Sequence, residues 1–215
     1  MALELNGTTG VSLVQDGVVT AADLSSTLDL SGKALTLPTA QETAMVLLGE
    51  YAGSASEVSS VDISLDTSGD YWMYKIVVPM MKVGNNGQDL WWFVSKNGTY
   101  QTASNYTWSM QERNGTAQAG TQSSGATYGR LCWYPWPNND GEAGGLEVNI
   151  LGSADANVKT TIHGAYAGQD NVAGPKSLFF TGMYNVAATH DGFRFQAATG
   201  NVVMQYGYKL YGYKA

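Results

Sequence analysis

The densest run of groups able to do chemistry is Trp133-Tyr134-Pro135-Trp136, followed by Asn138-Asn139-Asp140. If this run is extended, strand alternation sets Tyr134 and Trp136 on one face and Trp133 on the other, so the three rings cannot share one core. The apolar C–H faces of sugar rings lie well on Trp and Tyr, and Asn or Asp side chains bond their hydroxyls. Binding sites commonly combine aromatic walls with a few such polar groups. Tyr134, Trp136, Asn138, Asn139 and Asp140 are therefore the candidate ligand-binding residues. The competing reading is that these aromatics pack a core or a subunit interface, where such rings are also common. Trp91 and Trp92 pose a related question: they are adjacent, so in a regular strand one of them faces away from the core.

Other chemistries find less support. The two histidines, His163 and His190, have no HxH or HExxH spacing. His163 falls on the polar face of its strand and His190 in the turn Thr189-His190-Asp191-Gly192, so both read as surface histidines and no metal site is expected. The single cysteine, Cys132, permits no intramolecular disulfide, and nothing local marks it as an activated nucleophile. No GxSxG motif is present. Asp140, Glu142 and Glu147 could supply the two carboxylates of a glycosidase, but such pairs arise by chance in any acidic chain. No catalytic residue and no cofactor are expected.

The elements that must position these groups read as strands. The 215 residues carry 26 glycines, 13 tyrosines and 6 tryptophans, with only 13% charged residues. That composition suits an all-β protein. Val61, Ile63 and Leu65 alternate with polar neighbours, as do Trp72, Tyr74, Ile76 and Val78; Tyr106, Trp108 and Met110; and Leu146, Val148 and Ile150. Further faces come from Val158, Thr160, Ile162 and Tyr166, and from Leu178, Phe180 and Tyr184. Asn86-Gly87, Asn97-Gly98, Asn114-Gly115 and Asp140-Gly141 supply turns between them. The segments Gly115 to Thr127 and Pro135 to Gly145 read as longer loops, and Val202 to Tyr213 as one continuous terminal strand. The expected fold is all-β: an antiparallel, jelly-roll-like β-sandwich preceded by a short extended N-terminal arm.

Residues 1–45 form that arm. They lack aromatic residues and are too thin to bury a core of their own, which makes them an attachment or oligomerisation segment; residues 46–215 form the sandwich domain. The formal charge of −7 and the lack of any basic run argue against a nucleic-acid partner. No apolar run approaches the roughly 20 residues of a membrane span, so no membrane insertion is expected. The opening MALELNGTTG has neither a basic nor an apolar leader region, and no Sec signal is expected.

Several segments resemble tailed-bacteriophage fibre and related virion proteins with a C-terminal sandwich domain. The similarity is carried by Gly192-Phe193-Arg194-Phe195, by Thr199-Gly200-Asn201, and by the closing Leu210-Tyr211-Gly212-Tyr213-Lys214. Asp70 to Val78 and Asp89 to Tyr100 are similar to the family's paired strands. Gly7 to Val11 and Leu28 to Pro38 resemble short repeats of fibre shafts and attachment segments. Where the family has an Asp-Gly-Gly turn, this chain has Lys96-Asn97-Gly98, which keeps the turn and loses that Asp.

The resemblance implies a non-enzymatic virion structural protein, assembled in the host cytoplasm and exposed on the particle surface. It would be a short tail fibre or fibre-tip subunit and a homotrimer. It would be joined to other virion proteins through residues 1–45 and would contact a host cell-surface glycan or protein with its sandwich. The alternatives are a capsid head-decoration, cement or head-fibre protein, and a carbohydrate-binding lectin-like module.

Overall fold

The computed structural model describes residues 45–54, 56–84, 88–114, 117–132, 144–170 and 174–214. Residues 1–44 of the N-terminal arm lie outside the described residues, and its last residue, Met45, opens β1. Every regular element among those described is a β-strand. In chain order they are β1 (Met45–Tyr51), β2 (Ser60–Ser64), β3 (Tyr71–Val83), β4 (Leu90–Lys96), β5 (Thr99–Tyr100), β6 (Tyr106–Asn114) and β7 (Ala117–Ala126). There follow β8 (Gly129–Cys132), β9 (Gly144–Leu151), β10 (Lys159–Asp170), β11 (Gly174–Ala187), β12 (Gly192–Ala197), β13 (Val202–Val203) and β14 (Tyr208–Lys214).

All pairings are antiparallel. The larger sheet runs β1-β14-β3-β9-β10-β11-β6-β7, with β13 added on β3. The smaller runs β2-β12-β4-β5, with β8 also on β4. The chain crosses between the sheets repeatedly, and the closing strand β14 is held between β1 and β3.

The alternating residues explain why the sheets pack face to face. Tyr74, Ile76 and Val78 of β3, Val148 and Ile150 of β9, Ile162 of β10, and Leu178 and Phe180 of β11 form the inner face of the larger sheet. Ile63, Leu90, Trp92, Val94, Phe193 and Phe195 form the inner face of the smaller one, and all belong to one buried cluster. Trp92 is its hub. The indole lies parallel to the Phe193 ring, with centroids 5.8 Å apart, and meets the Tyr106 ring of the opposite sheet edge-on at 5.1 Å. Such pairs add about 0.5–1.5 kcal/mol each beyond the area they bury.

Three segments depart from the sequence-based expectation. The Gly/Ser/Thr/Gln/Ala-rich stretch after Asn114 is not a loop through its length: Ala117–Ala126 is the edge strand β7, laddered on β6 from Asn114↔Ala117 to Tyr106↔Ala126. Its residues are exposed or half-buried, so backbone pairing specifies it and no apolar alternation was needed.

The terminal run is not one strand either. β13 and β14 are separated by a turn in which Gly207 N–H donates to the Met204 carbonyl at 3.1 Å. Gly207 has φ +68°, and a Cβ there would overlap the Tyr51 carbonyl. Tyr206, expected on the apolar face, is consequently 59% exposed, while Leu210 stays buried. Finally, Trp72 leaves the inward row of β3. It sits opposite the register shift between Tyr213 and Lys214, is 52% exposed, and its Nε1 donates to the Lys214 carbonyl at 3.0 Å.

Candidate functional site

Tyr134, Trp136, Asn138, Asn139 and Asp140 lie outside the described residues, as does Glu142. The chain enters that segment from β8, whose Arg130 stands opposite Trp91 of β4 in the ladder. The paired tryptophans of β4 divide as alternation requires. Trp92 enters the core, and Trp91 faces outward, its ring stacked on Tyr128 with centroids 4.0 Å apart and planes 14° from parallel.

The outer face of the smaller sheet brings together a further set. In β12, Phe193 and Phe195 point inward, so Arg194 and Gln196 point out. The ladder sets Gln196 between Ser60 and Trp91, and Arg194 between Asp62 and Phe93. Arg194 Nε and Nη2 donate to Asp62 Oδ1 and Oδ2 at 2.6 and 2.7 Å, a fork-shaped pair. The guanidinium carbon also lies 3.8 Å from the Tyr100 ring centroid. Burial, with the nearby Asp62 carboxylate adding to it, pushes the Tyr100 phenol up to about 12, so it remains a hydroxyl near neutrality. Hydrogen bonding to Asp62 raises Arg194 above its ordinary value. An exposed ion pair of this kind contributes only about 0–1 kcal/mol; its effect here is to fix the positions of three side chains. The arrangement offers ring faces and hydrogen-bonding groups on a rigid floor.

The sequence reading missed Arg194, Asp62 and Tyr100. Asp62 and Arg194 are 132 residues apart. The available signal was the Phe-Arg-Phe triplet, in which two inward rings force the arginine outward.

Other polar groups are closed in. Lys176 Nζ lies 3.0 Å from Glu112 Oε1, with side chains 1% and 12% exposed. Arg130 pairs with Asp89 at 2.6 Å. Cys132 is fully buried beside these charges, and burial pushes its thiol up to about 12, which keeps it protonated and a poor nucleophile. Among the described residues no group of three or more His, Cys, Asp or Glu is placed to hold a metal ion.

His163 is exposed on β10, as read from the sequence. His190 is not a surface residue: it is 1% exposed, its ring edge-on to Tyr184 with centroids 5.3 Å apart. Its Nδ1 shares a 2.7 Å hydrogen bond with Thr160 Oγ1, and its Nε2 is buried without a hydrogen-bond partner. The expected turn Thr189–Gly192 is instead an irregular connection between β11 and β12, with Gly192 already in β12, and Asp191 holds it against the β4–β5 hairpin. Gly98 N–H donates to Asp191 Oδ2 at 2.9 Å, across from Asn97 and Gly98 in the left-handed conformation of a tight hairpin.

Burial, aided by the Lys96 charge and opposed by Asp191, lowers the His190 pKa below its ordinary 6.5. Between the lowered value and 6.5 the unfolded chain binds a proton that the folded chain does not. This residue therefore makes stability fall as pH drops below about 6.5. The slope is at most about 1.4 kcal/mol per pH unit for one proton. Denaturant midpoints measured from pH 7.5 to 5 should show this fall, and His190→Gln should flatten it. A wild-type curve that the substitution leaves unchanged would exclude His190 as its source.

The chain is thus an all-β antiparallel sandwich with a rigid polar and aromatic outer face on its smaller sheet. No protein-family model, curated protein or solved structure matches it.

Proposed function

We propose that this protein is a phage virion structural component, a short tail-fibre or fibre-tip subunit that joins the particle through residues 1–45 and meets the host surface with its sandwich. The observation that supports this reading best is the outer face of the smaller sheet. It presents Trp91, Tyr128, Gln196 and the Arg194–Asp62–Tyr100 assembly as a shallow, rigid surface suited to contact. The cysteine and the buried Lys176–Glu112 pair, which a substrate would need to reach, are closed in. The similarity of the terminal Gly-Phe-Arg-Phe and Leu-Tyr-Gly-Tyr-Lys segments to fibre proteins points the same way, and on this reading the full chain assembles as a trimer.

Light scattering of the full-length chain tests the assembly, and antibody labelling of intact particles tests the location. A mass near three chains with label at the tail supports the fibre reading. Label distributed over the head would replace it with a decoration or cement role, and a monomer absent from particles would leave a free binding module.

A further inference from the structure

We propose that the outer face of the smaller sheet, centred on Gln196 and the Trp91–Tyr128 stack, is a binding subsite for a neutral pyranose residue of a surface glycan. The inference rests on the attachment reading above and names the ligand class for it.

Four observations lead there. First, the platform is aromatic and fixed. Trp91 and Tyr128 are stacked with centroids 4.0 Å apart, and both pack against the core on their inner sides. A ring that keeps its position loses little freedom when a sugar lies on it.

Second, Gln196 stands beside that platform with hydrogen-bonding capacity to spare. It is directly opposite Trp91 in one ladder and Ser60 in the other. Neither the Gln196 amide nor the Ser60 hydroxyl makes a side-chain hydrogen bond among the described residues, although both are half-buried. The carbonyl and NH₂ of one amide can accept from one sugar hydroxyl and donate to its neighbour. Adjacent strands lie about 4.8 Å apart and residues two apart on one strand about 6.8 Å apart. The distance from the stack across Gln196 to Arg194 therefore suits a sugar ring with its substituents.

Third, backbone recognition is closed here. β4 is paired with β12 on one side and with β5 and β8 on the other, and β12 is paired with β2 and β4. A peptide cannot add as a strand in the middle of a sheet, so only side chains can read a ligand.

Fourth, the charges of this face cancel. Arg194, the arginine of this face, is forked onto Asp62, while Arg130 is closed in, paired with Asp89 at 2.6 Å and 4.8 Å from the centroid of the buried Trp108 ring. The whole chain carries a formal −7. An anionic ligand would meet no uncommitted arginine on this face and an unfavourable net field, which selects neutral sugars over sialylated or phosphorylated ones.

The test uses the full-length chain. Saturation-transfer NMR and tryptophan fluorescence titrations would be run against methyl glucoside, galactoside, mannoside and N-acetylglucosaminide, with sialyllactose as the anionic probe. Saturable binding of at least one neutral pyranoside is expected, weakened at least ten-fold by Gln196→Ala and by Tyr128→Ala. Gln196→Ala should keep the wild-type melting temperature, which separates lost contact from lost fold. Gln122→Ala, an exposed position on the edge strand β7 of the larger sheet, should bind as wild type. The proposal is overturned if none of the neutral pyranosides binds, if sialyllactose binds in preference, or if Gln196→Ala leaves binding intact. Failure here is distinguishable from failure of the attachment reading. Full-length chain that adsorbs to host cells undiminished by Gln196→Ala keeps the attachment role and removes this subsite. Pyranoside binding by a chain absent from particles keeps the subsite and removes the virion role.

Discussion

Lys176→Ala is expected to be among the most damaging single substitutions in the described sandwich, with a loss of about 3–5 kcal/mol of unfolding free energy. The cause is the pair it breaks. Lys176 and Glu112 project inward from neighbouring strands. Glu112 stands opposite Leu178 in the ladder, and Lys176 lies two residues from Leu178 on the same face. The ammonium and carboxylate are 3.0 Å apart, with 1% and 12% of their side chains exposed. Removing the ammonium leaves a buried carboxylate whose Oε2 already has no hydrogen-bond partner. That uncompensated charge, more than the lost attraction, carries the cost.

The same argument says that the intact pair adds little net stability, because desolvating two charges offsets most of what their attraction returns. Lys176→Met combined with Glu112→Leu should therefore recover most of the loss. Urea midpoints for both single variants and the double variant decide the matter. If the double variant is as unstable as Lys176→Ala, the burial argument fails and the pair itself stabilises the fold.

The inner faces of the sandwich were legible because burial imposes a period of two. Tyr74, Ile76 and Val78 on β3 and Val148 and Ile150 on β9 repeat every second residue and pack into one core. The adjacency of Trp91 and Trp92 likewise settled that one ring faces outward. β7 was not legible. An edge strand with both faces wet needs no apolar residues, so Ala117–Ala126 reads like a loop while its backbone is laddered on β6, with a single bulge at Gly125. The break at Met204–Gly207 was hidden because the alternation of Val202, Met204, Tyr208 and Leu210 continues in phase across it. Only the close approach of Gly207 to the Tyr51 carbonyl reveals the turn. His190 was misplaced because its burial comes from Tyr184 and Thr160, on other strands. The Arg194–Asp62–Tyr100 assembly joins three strands, and its members come together only once sheet order is known.

Gly129 was equally silent in the sequence, and Gly129→Ala is the second large effect expected. The Trp92 indole lies against the Gly129 backbone, and an added Cβ there would overlap the ring at Cε2 and Nε1. Gly182 of β11 lines the ring from the opposite sheet, where a Cβ would stand 2.8 Å from Cζ2. The ring is further bounded by Phe193 and Tyr106, so it cannot swing aside without disturbing both. Overpacking of this kind costs about 1–3 kcal/mol.

Truncating the ring instead, as Trp92→Ala, should cost about 3–5 kcal/mol through the cavity it opens. Trp92→Phe tests whether the glycine exists for the indole. The smaller ring vacates the space beside Gly129 and removes an Nε1–H that is buried without a partner. Gly129→Ala should then be better tolerated in the Trp92→Phe chain than in wild type, giving a favourable coupling energy in a double-mutant cycle. Strict additivity in denaturant midpoints would mean that Gly129 is required by its own backbone and not by the ring. Because φ at Gly129 is not among the positive values, the backbone alone gives alanine no penalty. Contact with Trp92 is the remaining source, and the cycle measures it directly.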